Sequence, residues 1–122
     1  MSEFFYDSYA IIEYINGNPA YKIYFMGNSG ITTLYNIMEV YYSVLKEEGE
    51  AKAKEVLQLL SPIVVYPGME DVEPAMKFRF SHKEKKLSYA DCLGYALARK
   101  RKLRFLTGDE GFRHLPHVEF VK

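Results

Sequence analysis

Leu87-Ser88-Tyr89-Ala90-Asp91-Cys92-Leu93-Gly94-Tyr95-Ala96-Leu97-Ala98-Arg99-Lys100-Arg101-Lys102-Leu103-Arg104-Phe105-Leu106-Thr107-Gly108-Asp109-Glu110-Gly111-Phe112 reads as a capped helix followed at once by a short strand. Ser88 can cap a helix that carries Leu93, Ala96 and Leu97 on one face. The bases Arg99, Lys100, Arg101 and Lys102 close it, complementing the negative end of a helix dipole. Leu103, Phe105 and Leu106 then make a short apolar strand, ended by Thr107-Gly108. Two acids punctuate the unit: Asp91 in the first helical turn and Asp109 just past the strand. Carboxylates at a helix start and a strand end can meet in the crevice outside the carboxyl ends of an α/β sheet.

Working outward, the preceding chain alternates in the same way. Phe4-Phe5-Tyr6 is a short β-prone run with Asp7 directly after it. Asp7 or Ser8 can cap a helix carrying Ala10, Ile11, Tyr14 and Ile15, stopped by Asn16-Gly17. Asn18-Pro19 starts a second short helix through Tyr21 and Tyr24, and Gly27 to Gly30 is a loop. Ile31-Thr32-Thr33 reads as a very short strand, with a helix from Leu34 towards Glu48 ended by Gly49. Another helix covers Ala51 to Leu60, where Pro62 ends it. Ile63 to Tyr66 reads as a buried strand, Pro67-Gly68 as a turn, and Asp71 to about Lys83 as a helix. Beyond the organising unit come a turn or short helix near His114 and a last strand from Val118 to Val121. This alternation implies one α/β domain over residues 1–122, a mostly parallel sheet of about five strands sandwiched between helices; if the sheet winds out from the first strand and then crosses back, the order is 3-2-1-4-5. In that order the first and fourth strands are neighbours, so Asp7 and Asp109 flank the switch point.

Composition narrows the function. The formal net charge of zero argues against a broad basic coat for nucleic acid, though not against a local phosphate site. Cys92 is the single cysteine, so neither an internal disulfide nor a Cys-rich zinc site is available. No apolar run approaches the ~20 residues of a membrane span. Glu3 interrupts any signal-peptide pattern, so a cytoplasmic location is the expectation.

Each acid also has a structural reading. Asp91 lies three residues after Ser88, the spacing of a capping box. Asp7 can cap the first helix and Asp109 can serve a turn beside Gly108. Glu39 falls in a polar stripe with Asn36 and Ser43, opposite an arc of Leu34, Ile37, Met38, Tyr41 and Leu45, so periodicity calls it solvent-facing. His114 and His117 flank Leu115-Pro116, which spoils a helical metal-binding pair, and both read as surface residues. Cys92 reads as a small core residue.

In four segments the chain resembles the PIN-domain nucleases, and within them the small toxins of the VapC type. They are Phe4-Phe5-Tyr6-Asp7-Ser8, Asn36-Ile37-Met38-Glu39, Leu87 to Ala98 around Asp91, and Phe105-Leu106-Thr107-Gly108-Asp109 with Phe112. The resemblance implies a metal-dependent endoribonuclease. It makes Asp7, Glu39, Asp91 and Asp109 the acidic catalytic and metal-holding cluster, supported by Thr107, Ser8 and Asn36. It also implies an RNA substrate, a homodimer and a small antitoxin partner. Many relatives carry a further acid where this chain has Gly111; Glu110 stands one position earlier and is left outside the cluster. Carboxylates bunched at ~4 Å repel by roughly 4 kcal/mol per pair at an effective dielectric near 20, so such a cluster calls for protons or a cation. Oxygen donors favour Mg²⁺ or Mn²⁺. A housekeeping RNA-processing nuclease and a non-catalytic RNA- or protein-binding module of the same fold are the alternatives. A phosphorelay receiver would need an Asp after the third strand, where Val65-Tyr66-Pro67-Gly68 offers none.

Overall fold

Phe4–Tyr6 forms β1, the centre of the sheet in a computed structural model that describes residues 2–122. The elements that follow are α1 (Ser8–Ile15), α2 (Lys22–Met26), β2 (Gly30–Thr33), α3 (Leu34–Glu48) and α4 (Glu50–Leu60). After them come β3 (Val64–Val65), α5 (Val72–Ser81), α6 (Tyr89–Lys100), β4 (Arg104–Thr107) and β5 (Val118–Phe120). The five strands are all parallel in the order β3-β2-β1-β4-β5, the order expected for a sheet that winds out from the first strand and then crosses back. Among the described residues no helix is long and apolar enough to cross a membrane.

Successive strand side chains point to opposite faces, and the two cores follow from that. Tyr6 and Leu106, paired in register, turn to the face covered by α1, α3 and α4, where Ile11, Ile37, Val40, Val44, Val56 and Leu60 are buried with them. Phe5 and Phe105, also in register, turn to the face of α6, with Cys92, Tyr95, Leu97 and Phe112. Their rings stack at 5.5 Å between centroids. Each fully buried phenylalanine contributes about 1.5–3 kcal/mol relative to exposure. Gly94 lets α6 settle onto this pair, because a Cβ there would meet the Phe5 ring at 2.7 Å.

Several local expectations change. The third strand is not a buried run from Ile63 to Tyr66: only Val64–Val65 pair with β2, both half-buried, while Ile63 ends a 3₁₀ turn and Tyr66 is exposed. Pairing on one side alone explains this, since β3 is a sheet edge. The helix expected over Asp71 to Lys83 is α5, with separate 3₁₀ turns at Met69–Asp71 and Lys83–Lys85. On α6 the fully buried side is Cys92, Tyr95, Leu97 and Ala98, with Leu93 and Ala96 only half-buried. On α3 the buried side is Asn36, Ile37, Val40 and Val44, while Leu34, Met38 and Leu45 are exposed. The helix is thus rotated from the face that apolar periodicity alone selects. The turn near His114 is a 3₁₀ segment at Glu110–Phe112.

Gly94→Val places a branched side chain against Phe5 and Phe105. Overpacking of this kind costs about 1–3 kcal/mol, and a lowered urea midpoint is expected. An unchanged midpoint would show that α6 has slack over the sheet.

Candidate active site

The register that pairs Tyr6 with Leu106 puts the next residues of the two strands, Asp7 and Thr107, side by side. The Thr107 hydroxyl donates to Asp7 Oδ2 at 2.7 Å and accepts from the Asp109 N–H at 3.1 Å. One hydroxyl therefore links both acids of the switch point. Asp7 stands at the N-cap position of α1 but makes no side-chain capping bond, so the capping expectation fails for it. Its Oδ1 is buried without a hydrogen-bond partner, the one such side-chain atom among the described residues.

The other acids keep their structural roles and also face the same place. Asp91 completes the capping box: its Oδ2 accepts from the Ser88 N–H at 2.9 Å, and its own N–H donates to Ser88 Oγ at 3.0 Å. Asp109 Oδ1 accepts from the Gly111 N–H at 2.9 Å, closing the turn after β4. Each commits one oxygen to backbone and leaves the second for another donor or an ion. Glu39 is not simply a solvated helix acid, because its Oε1 accepts from the Ser8 hydroxyl at 2.6 Å. Ser8 in turn accepts from Asn36 Nδ2 at 2.9 Å. Asn36, placed by periodicity on a solvent stripe, is fully buried. Its backbone and side chain form a capping box with Thr33 at the start of α3.

Electrostatics ties the acids together. Burial, then the charge of Asp91, pushes the Asp7 carboxyl up to about 8, against the opposing pull of the Thr107 hydroxyl; Asp109 adds to the rise. Burial also raises Glu39, with Asp91 adding to the effect, and raises Asp91, with Asp109 adding to it. Burial is the leading cause in all three, and repulsion from neighbouring carboxylates adds to it, an environment that a nearby positive charge would relieve. Among the described residues no three His, Cys, Asp or Glu side chains close on a single ion position, so water would complete any shell. The donor set is all oxygen, and the orphaned Asp7 Oδ1 is a ready ligand, so the residues fit a hard divalent cation.

Glu110 belongs elsewhere: it pairs with Arg113 at 2.9 Å and Lys122 at 3.6 Å on the rim. His114 and His117 are exposed, and Cys92 is buried with its thiol pushed up to about 11. Both agree with their sequence readings. Thr33 was missed from sequence. The signal for it was present, since Thr33 precedes Asn36 at capping-box spacing.

The raised Asp7 value fixes a sign for stability. An aspartate that titrates near 3.8 when unfolded and about 8 when folded stabilises the fold below the lower value and loses that contribution as pH rises to the upper one. Glu39 and Asp91 act in the same direction. Without added metal, wild-type stability should fall between about pH 4 and pH 8, and Asp7→Asn should flatten the slope. At pH 8 the variant should be the more stable, because it removes a poorly solvated charge. Denaturation across that range checks it; parallel curves would refute it.

Comparison with known proteins places this geometry. A family model described as "PIN domain" matches residues 4–118. No curated protein matches the chain. Among solved structures, a toxin–antitoxin complex from Klebsiella pneumoniae aligns with a TM-score of 0.75 at 21% identity, over 97% of this chain and 96% of that one. DNA-bound VapBC from Salmonella typhimurium aligns with 0.76 at 17% identity, over 99% and 98%. VapC20 of Mycobacterium tuberculosis, a sarcin–ricin-loop-cleaving toxin, aligns with 0.72 at 17% identity, over 86% and 87%. These likenesses establish a shared fold, and the family match, which spans nearly the whole chain, shows that this protein belongs to the PIN-domain family.

Proposed function

We propose that this chain is a divalent-metal-dependent endoribonuclease, the toxin of a type II toxin–antitoxin pair acting in the cytoplasm. The observation that carries the reading is Asp7: a buried carboxylate with one orphaned oxygen, at the carboxyl end of the central strand, repelled by Asp91 and Asp109. Asp7, Asp91 and Asp109 would hold Mg²⁺ or Mn²⁺, directly or through water. Such an ion lowers the pKa of bound water and stabilises charge on a phosphate. Thr107 fixes the Asp7 carboxylate by its 2.7 Å hydrogen bond, and Ser8 fixes Glu39 by one of 2.6 Å. Glu39 would ligate the ion or orient the attacking water. Single-stranded or loop RNA suits a concave site better than a regular duplex, because its backbone can be presented to the acids.

The partner reading rests on the fold and on one surface. The similar structures include toxin–antitoxin complexes, and a small antitoxin covering the acidic crevice is the expected regulator here. Outward-facing Tyr35, Met38, Tyr42 and Leu45 repeat along α3 at alternating spacings of three and four, the pattern of a helix seam. A second copy of this chain packing on that seam gives a homodimer.

The decisive assay is cleavage of candidate RNAs with Mn²⁺ or Mg²⁺, with chelator, and with Asp7→Asn. Chelator and the variant should each abolish cleavage, and Mn²⁺ should raise the melting temperature of the wild type by several degrees but not that of Asp7→Asn. Full activity in chelator would sink the metal mechanism. Absence of both cleavage and metal response would favour a binding module. Separately, Met38→Glu with Tyr42→Glu should convert a dimer to a monomer by light scattering; a monomeric wild type would remove the seam.

A further inference from the structure

Three buried polar side chains run in line from the start of α3 to Glu39, and their hydrogen bonds have a single possible direction. Asn36 Oδ1 faces both the Thr33 hydroxyl, at 2.6 Å, and the Thr33 N–H, at 3.4 Å. An N–H can only donate, so the amide oxygen must lie on that side and Nδ2 on the other. Nδ2 donates to Ser8 Oγ at 2.9 Å, which uses an acceptor site of the serine. The Ser8 proton is then left to point at Glu39 Oε1, 2.6 Å away. Thr33 and Asn36 are fully buried and Ser8 nearly so, whereas the Glu39 side chain sits at an exposed position of α3.

We infer that Asn36 is a positioning residue, which holds the Ser8 hydroxyl as a donor and thereby fixes the Glu39 carboxylate towards the acidic crevice. The inference rests on the nuclease reading only for its effect on rate. An exposed glutamate on a helix would otherwise sample several rotamers, and a charge-assisted bond to a buried hydroxyl selects one of them. The donors run one way along the line, and Glu39 Oε1 is its final acceptor. Thr33 locks the amide of Asn36 and so belongs to the same unit. The unit joins the end of β2, the first turn of α3 and the first turn of α1.

Two readouts test it. Ser8→Ala and Asn36→Ala should each lower kcat about tenfold with KM unchanged, the size expected for losing a hydrogen bond to a charged group. In a Glu39→Ala background neither should lower kcat further, whereas their losses in melting temperature should persist. Tyr6→Phe, which removes a hydrogen bond to the Tyr24 carbonyl, should lower the melting temperature without changing kcat. Independently of cleavage, the Glu39 carboxyl ¹³C resonance, identified by its loss in Glu39→Gln, should shift in Ser8→Ala and in Asn36→Ala. Full rate losses in the Glu39→Ala background, or an unmoved carboxyl resonance, would overturn the inference. A wild type that cleaves no RNA would instead remove the nuclease reading, and the resonance would still decide the role of Asn36.

Discussion

The hydrogen bond from Thr107 to Asp7 is the contact on which the site depends. It exists because β1 and β4 are parallel neighbours in a register that sets the residues after Tyr6 and Leu106 side by side. A carboxylate buried there, with a single bond and an unpartnered second oxygen, is costly to the fold. The stability of the surrounding sheet must offset that cost. The stacked Phe5 and Phe105 beneath, with α6 drawn close at Gly94, supply that stability.

Around Asp7 stand acids that already have ordinary structural roles. Asp91 caps α6 and Asp109 closes a turn, each with one oxygen. Their backbone partners hold the carboxylates still, which is what a preorganised metal or phosphate site requires. Burial raises Asp7 and Glu39, and the same charges add to it, on Glu39 through Asp91. Local structure and electrostatic coupling are thus not competing explanations of these residues. Capping determines where each carboxylate stands, and proximity determines what its charge does there.

Glu39 reaches the crevice by a different route. Its helix turns a mixed face inward, with Asn36 buried alongside apolar Ile37 and Val40. That rotation leaves Met38, Tyr42 and Leu45 outside, so the polar unit inside α3 and the apolar seam outside it have one cause. Glu110, by contrast, is drawn to Arg113 and Lys122 on the rim and leaves the cluster. An acid one position from where relatives carry one does not take over its place when stronger ion pairing is at hand.

The sequence alone was enough for the alternating α/β pattern and a parallel sheet. Short β-prone runs alternate with capped helices, and right-handed parallel crossovers leave few ways to arrange them. It also determined the capping box at Ser88 and Asp91, because that bond is made within one turn of chain. The resemblance carried by Asp7, Glu39, Asp91 and Asp109 pointed to the family that the whole-chain match then showed. Only the tertiary structure decided how α3 is rotated, that β3 is a two-residue edge, and that Asp7 keeps a free oxygen instead of capping α1. The reason is range. A cap or a turn is settled by neighbours a few residues away, whereas the partners of Ser8 and Asp7 lie 28 and 100 residues along the chain and meet only when the sheet closes.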